Sequence, residues 1–285
     1  MLGAQAVLEN DFNSVRGSYE GNLGDPLGTE AALGNATGQR DFDVTSGSGI
    51  NNSYGVVPAA GDSVAIRSRN FDWDVSQAFS FSMFFQFDAY PVAEGNTTSD
   101  GGIFAGMGFL TELAADGVGF NGAGIDRFGF GLGGTLAPGG TEAIFTSNGR
   151  INSSSNRSFG AAFALIEGNW YRLAFDAVND PDRTSLWRVT NAVVEDWGSA
   201  GASLVGIVAS LPDTGSFDPP NSRNIDGSKS AGVFAYVDDE GAISMDNIKV
   251  DEIPEPSVYA FCVGVLALGV VARRRRGFGI GEASH

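Results

Sequence analysis

Carboxylates and indoles are the side chains through which this chain could act, because the commoner catalytic groups are nearly absent. It holds one histidine, His285, and one cysteine, Cys262. A zinc site of His and Cys cannot be assembled from these, nor can a Ser-His-Asp or Cys-His mechanism. Carboxylates two residues apart share one face of a strand. Glu9-Asn10-Asp11 and Asp72-Trp73-Asp74 have that spacing. No third carboxylate follows Asp11, and Trp73 would point to the face opposite both its neighbours. Asp238-Asp239-Glu240-Gly241 reads as a turn. In Ile243–Val250, ISMDNIKV, strict alternation puts Asp246 on the face of Ser244, Ile248 and Val250. A carboxylate on that apolar face needs a partner, either an ion or backbone amides.

Recognition of a glycan asks for an aromatic platform beside hydrogen-bonding groups. The four tryptophans are Trp73, Trp170, Trp187 and Trp197. Trp170 opens a strand and reads as core. Trp187 lies between Leu186 and Arg188, so one face of that strand meets solvent. Trp197 follows Glu195 and Asp196 and precedes Gly198, which suggests a loop. Trp187 and Trp197 are therefore the candidate ligand-binding aromatics.

The elements that must hold these residues are strands. Between Val7 and Val250 there is no sustained helical period, and short period-2 runs alternate with Gly, Asn, Asp and Ser clusters. FSFSMFFQF sets Phe79, Phe81, Met83, Phe85 and Phe87 on one face and Ser80, Ser82, Phe84 and Gln86 on the other. WYRLAFDAV groups Tyr171, Leu173 and Phe175 opposite Arg172 and Asp176, and the turn-rich Asn179–Ser185 predicts a hairpin into SLWRV. VAIR, RFGFGL and GVFAYV are further strands. Glycines between Gly101 and Gly140 are interrupted by apolar residues, and fit sheet bending, bulges or a close approach by another group. The fold class is all-β, most simply two stacked antiparallel sheets.

Charge narrows the partners. Residues 1–250 hold 13 Lys+Arg and 30 Asp+Glu, which is the whole net charge of −17, because 251–285 hold four of each sign. An acidic body repels nucleic acid and anionic lipid, so no nucleic-acid partner is expected. The end of the chain differs: Pro254-Glu255-Pro256, then the uncharged 15-residue run VYAFCVGVLALGVVA (258–272), then Arg273, Arg274, Arg275 and Arg276. As a helix that run would be about 22 Å long, short for a bilayer core of about 30 Å unless the arginines snorkel. Clustered positive charge stays cytoplasmic, which puts the acidic body outside.

These three parts in order resemble the PEP-CTERM sorting domain. The resemblance covers about residues 253–276 and implies export by a Gram-negative bacterium that makes exopolysaccharide. It also implies recognition by an exosortase in the inner membrane, removal of helix and basic tail, and residence at the cell surface or in the extracellular matrix. Residues 277–285 run further past the arginines than is usual in that family. At the other end, Ala4-Gln5-Ala6 reads as a signal-peptide cleavage site without the apolar stretch that should precede it, as if the start had been set too late.

The body resembles a concanavalin A-like, or LamG-like, jelly-roll sandwich. The residues that carry this are the opening LENDFNS, the strand FSFSMFFQF, NWYRLAFDAV with its hairpin, and the closing SMDNIKV. The galactose-binding-like jelly roll begins and ends similarly. Laminarinase-type hydrolases on the concanavalin A-like fold carry Glu-x-Asp-x-x-Glu or Glu-x-Asp-x-Glu on one strand, and neither spacing is present, so no catalytic residue is assigned. Jelly rolls often tie their first and last strands with calcium, and the resemblance implies Asp11 and Asp246 as its ligands.

The expected organisation is then a signal-peptide remnant at 1–6, a sandwich over 7–250, a linker with the PEP motif at 251–257, a transmembrane helix at 258–272 and a basic cytoplasmic tail at 273–285. The expected role is an exported surface or matrix protein that binds polysaccharide or serves structurally, without covalent chemistry. The alternative is a secreted glycoside hydrolase or lyase that uses acidic residues on the same fold.

Overall fold

The computed structural model describes residues 6–13, 17–19, 26–27, 30–34, 42–58, 63–68, 78–87, 103–110, 127–134, 142–148, 157–179, 186–217, 232–238 and 243–253. The sorting motif Pro254–Pro256, the apolar run, Arg273–Arg276 and Asp72-Trp73-Asp74 lie outside the described residues. Among the described residues no helix is long and apolar enough to cross a membrane.

Seventeen strands form among the described residues, all paired antiparallel in two sheets. One sheet has nine strands: β1 (Ala6–Asn10), β2 (Gly17–Tyr19), β5 (Phe42–Ser46), β6 (Tyr54–Pro58), β8 (Ala78–Phe87), β13 (Trp170–Asn179), β14 (Trp187–Asp196), β15 (Gly206–Asp213) and β17 (Ile243–Ile253). The other has eight: β3 (Pro26–Leu27), β4 (Glu30–Gly34), β7 (Ser63–Ser68), β9 (Ile103–Leu110), β10 (Arg127–Gly134), β11 (Glu142–Asn148), β12 (Arg157–Ala164) and β16 (Gly232–Asp238). The all-β, two-sheet antiparallel sandwich expected from the alternation is the fold observed.

The larger sheet runs β15-β14-β13-β8-β17-β6-β5-β2, with β1 on β17. The chain's last described strand thus lies at the sheet's centre and carries the first strand on its flank, with Leu8 opposite Val250 and Asn10 opposite Ile248. β17 continues past Val250 to Ile253.

Phenylalanine fills the space between the sheets. On β8, Phe79, Phe81, Met83 and Phe85 are buried while Ser80, Ser82, Phe84 and Gln86 face outward. On β13, Tyr171, Leu173 and Phe175 point in, and Arg172 and Asp176 point out. Rings from one sheet meet rings from the other: Phe81 with Phe109 at 5.2 Å, Phe130 with Phe175 at 5.0 Å, and Phe128 stacked on Trp187 at 4.3 Å and 12°. Such pairs add about 0.5–1.5 kcal/mol each beyond burial.

Trp187 is therefore not the surface aromatic it was expected to be. It is fully buried, and the strand turns Arg188 outward in its place. Among the described residues its indole Nε1 has no hydrogen-bond partner. This ring offers no face to a ligand at the surface.

Candidate functional site on the outer face of the larger sheet

The chemistry-bearing residues collect on the side of the larger sheet away from the core. Residues directly opposite in neighbouring strands share a face. Asp246 of β17 is opposite Phe84 of β8, Phe84 is opposite Arg172 of β13, and Arg172 is opposite Glu195 of β14. One row thus crosses four strands and presents a carboxylate, an aromatic ring, a guanidinium and a second carboxylate.

Asp246 lies on this row by alternation with Ser244, and the bulge that follows it moves Ile248 and Val250 to the other face. The β17–β8 register shifts between Asp246 and Lys249, and Asn247 adopts a left-handed φ of 48°. The extra residue breaks the alternation. Met245, Ile248 and Val250 all enter the core, while Asp246 turns to the outer face with Ser244. The expectation that Asp246 shares a face with Ile248 and Val250 is corrected accordingly.

Asp246 is nonetheless wholly buried, because the 47–53 loop covers it. Its Oδ2 accepts the Ile50 N–H at 3.0 Å and the Ser53 hydroxyl at 2.9 Å, and its Oδ1 accepts the Asn247 N–H at 2.7 Å. Two amides and a hydroxyl thus meet the carboxylate's need for partners. Gly49 lets the loop come this close, since a Cβ there would lie 2.6 Å from Oδ2 and 2.7 Å from the Ser53 Oγ. The loop sequence GSGINNS suits the turn, with Asn51 and Asn52 both left-handed at φ 55° and 57°. Burial pushes the Asp246 carboxyl up to about 6 against the pull of its donors, and the nearby Asp11 charge adds to the rise.

Asp11 directly follows β1 and is exposed, and its Oδ1 accepts the Asn13 N–H at 3.1 Å. A hydrogen bond from the Asn13 side chain, and after it the one from the Asn13 N–H, holds the Asp11 carboxyl below its ordinary value. Between them Phe12 takes a left-handed φ of 53° and inserts its ring into the core. Asp11 thus stands where the first strand pairs with the last, the strand that carries Asp246. Among the described residues no group of three or more His, Cys, Asp or Glu could hold a metal ion. A calcium ion at this pair would draw its remaining ligands from carbonyls and water. Carboxylate oxygens are the hard ligands such an ion takes. Among the described residues, three donors occupy three of the roughly four lone-pair positions of the Asp246 carboxylate.

At the other end of the row, Trp197 leaves β14 and folds back. Its ring meets Phe84 edge-on at 5.2 Å and 78°, and its Nε1 donates to Glu195 Oε2 at 3.1 Å. The same oxygen accepts from Arg172 Nη1 at 3.2 Å. Trp197 is half-buried, and the Arg172 side chain is 33% exposed. Asp196 fixes the turn: it accepts from Asn169 Nδ2 at 3.1 Å and from the Gly198 N–H at 2.7 Å. Trp170 is buried beside this turn, its N–H given to the Gly198 carbonyl and its carbonyl taken by the Trp197 N–H.

The two loops meet above the row. The Asn51 N–H donates to the Ala200 carbonyl at 3.0 Å, and Ile50 rests on Gly201, where a Cβ would collide with it. The arrangement is a partly open indole flanked by charged hydrogen-bonding groups on a loop-braced sheet. Sequence reasoning named Trp197, Asp11 and Asp246 but missed Phe84, Arg172 and Glu195. Phe84 could have been found: it is the one aromatic on the polar side of FSFSMFFQF.

Fold and site together define a two-sheet β-sandwich with a loop-roofed outer face. No family model matches the sequence, and no curated protein matches it. Solved structures resemble it in overall shape. A carbohydrate esterase from the Shiga toxin-encoding bacteriophage phi24B is 13% identical over 88% of this chain and 100% of that one, with a TM-score of 0.45. A protein of unknown function from Shewanella oneidensis MR-1 is 14% identical over 87% and 89%, with a TM-score of 0.44. Domain 4 of the extracellular arabinanase AbnA of Geobacillus stearothermophilus, in complex with arabinotriose, is 14% identical over 87% and 93%, with a TM-score of 0.43. Such low identities and TM-scores assign no ligand and no chemistry to this chain.

Proposed function

We propose that this chain is an exported bacterial surface or matrix protein with a concanavalin A-like sandwich, and that it binds polysaccharide through the Trp197 corner. The observation that supports this is the half-buried indole held edge-on by Phe84, with Arg172 and Glu195 beside it. A sugar offers a C–H face to an aromatic ring and hydroxyls to charged groups. The net charge of −17 disfavours an anionic glycan and favours an uncharged one. Binding needs no bond to break, so the mechanism is stacking and hydrogen bonding alone. Asp11 and Asp246 would hold calcium as a brace between the first and last strands.

The test is retention of the full chain on a panel of immobilised polysaccharides, with calcium and with chelator. Retention on at least one neutral glycan is expected, and Trp197→Ala should weaken it about tenfold, the loss of one stacking contact. Chelator should lower the melting temperature of the native chain and leave that of Asp11→Asn unchanged. A flat response to every glycan would remove the binding reading, and identical melts with calcium and with chelator would remove the calcium.

The sorting reading rests on Pro254-Glu255-Pro256, the run 258–272 and Arg273–Arg276. An exosortase would recognise these in the inner membrane, and the mature protein would lose helix and arginines. Mass spectrometry of the surface-exposed form should find it ending before Val258. Peptides covering 258–276 in that form would count against processing.

A further inference from the structure

We propose, on the reading that the Trp197 corner binds a glycan, that its ligand is a neutral glycan carrying O-acetyl esters, and that Ile207 and Val205 are the residues that distinguish the acetylated form.

The corner does not end at the indole. Glu195 of β14 is opposite Ile207 of β15, so the row of Asp246, Phe84, Arg172 and Glu195 gains an aliphatic fifth member on the outer face. A bulge puts Ile207 there. Val194 is opposite Ala209 and Glu195 is opposite Ile207, so Val208 is the extra residue, and it packs against the core with Ala209. Val205 closes the same corner from the loop. Its N–H donates to the Asp196 carbonyl at 2.7 Å, and its Cγ2 lies 3.5 Å from where a Cβ would stand on Gly198, the residue after Trp197.

Both aliphatic side chains are left to water. Val205 is 70% exposed and Ile207 65%, and Leu204 before them is 50% exposed. These are three of the four exposed large hydrophobics among the described residues, and they adjoin a half-buried indole.

The surroundings of this strip identify its occupant. Three side chains expose a few hundred Å² at most, against about 800 Å² that each partner of a stable protein complex buries. A lipid chain or an apolar peptide would strip water from Arg172 and Glu195 and return no hydrogen bond. A sugar brings hydroxyls to that pair and a C–H face to Trp197, but an unsubstituted one has nothing for Ile207 and Val205. An O-acetyl ester supplies what is missing, a methyl group and a carbonyl acceptor on one short arm. Arg172 reaches across to Glu195 Oε2 at 3.2 Å, which sets its guanidinium over β14, the strand beside Ile207. A guanidinium has five N–H donors, and this contact uses one. The carbonyl can meet Arg172 while the methyl rests on Ile207 and Val205. The net charge of −17 excludes the charged alternatives that would also carry a carbonyl, such as uronates.

The test is retention of the full chain on naturally acetylated xylan, glucomannan and galactoglucomannan, each before and after alkaline deacetylation. Retention on at least one should be stronger on the acetylated form, about fourfold for each methyl group buried. Val205→Ser and Ile207→Ser replace exposed side chains, so the fold should hold. Together they should bring that ratio to about one and leave retention on the deacetylated form within about twofold of the native chain. Retention that ignores acetylation would overturn this inference and leave glycan binding standing, whereas retention on no glycan would end both. A preference that survives the double variant would place the ester elsewhere and also overturn it. So would competition by free L-fucose over L-galactose without any acetyl preference, which would assign the strip to a 6-methyl group. A dimer in sedimentation velocity that the double variant disperses would make the strip a protein contact instead.

Discussion

Asp246→Ala at pH 4 is expected to destabilise the protein by about 3 kcal/mol, and the loss should shrink as the pH rises to 7. At pH 4 the carboxyl is largely neutral and anchors the Ile50 N–H, the Ser53 hydroxyl and the Asn247 N–H. Removing it strands buried donors at about 1–3 kcal/mol each, less what Ser53 recovers from the Ile50 carbonyl that it also contacts. The loop that roofs the outer face would lose its anchor at the same time. The pH dependence follows from burial, which raises the carboxyl from 3.8 to about 6. Folding thus favours the protonated form. That stabilisation is full below 3.8 and disappears as the pH climbs through 6, a change of about 3 kcal/mol for two units of pKa. Asp246→Asn cannot titrate and should lack the decline. Denaturant melts of both proteins at pH 4 and 7 isolate the effect, because other titrating groups cancel in the difference. Parallel pH profiles for the two proteins would show that Asp246 does not carry it.

How far the sequence anticipated this site depends on the range of the interactions. Alternation within one strand was legible: the Phe79-to-Phe85 face of β8 and the Tyr171, Leu173, Phe175 face of β13 point inward as their period predicts. The pairing of the first strand with the last was legible too, through the resemblance of LENDFNS and SMDNIKV to paired terminal strands. The bulge was not. Asn247 turns left-handed to insert one residue, and strict period-2 counting then assigns every later residue of β17 to the wrong face. Nor could local pattern reveal that a loop 196 positions away would bury Asp246 with two hydrogen bonds. Trp187 shows a different limit. Beside Leu186 and Arg188 its face was ambiguous, and only the stack on Phe128 from the opposite sheet settles it. β12 and β15 escaped notice because Ala, Gly and Ser give weak alternation and because a register shift interrupts each strand's pairing.

Gly131→Ala and Gly108→Ala should each cost more than an ordinary core substitution, about 3–5 kcal/mol, although neither alters a side chain that touches the core. β9 and β10 set glycine against glycine, Gly106 opposite Gly131 and Gly108 opposite Gly129. A Cβ on Gly131 would overlap the Ala105 carbonyl oxygen and lie 2.6 Å from the Gly106 Cα; one on Gly108 would overlap the Phe128 carbonyl oxygen and lie 2.9 Å from the Gly129 Cα. Those atoms are backbone, so no rotamer change can relieve the contact. The strands must part instead. Parting them would break the ladder in the middle of the smaller sheet and shift Phe128 and Phe130, which stack on Trp187 and Phe145. Gly206 is the control: a Cβ there meets nothing within 4 Å, its φ is not positive, and Gly206→Ala should change stability by no more than about 0.5 kcal/mol. Thermal melts of the three variants separate the explanations. If glycine served only to let the sheet bend, all three alanines would be mild. If it serves strand-to-strand approach, Gly108 and Gly131 fail while Gly206 does not, and a Gly131→Ala protein that melts with the native chain would refute the close contact. Sheet bending and a close approach by another group were both open from the sequence; the approaching group is the neighbouring strand's own backbone, and it is this that holds the Phe128 and Phe130 rings against the larger sheet from behind.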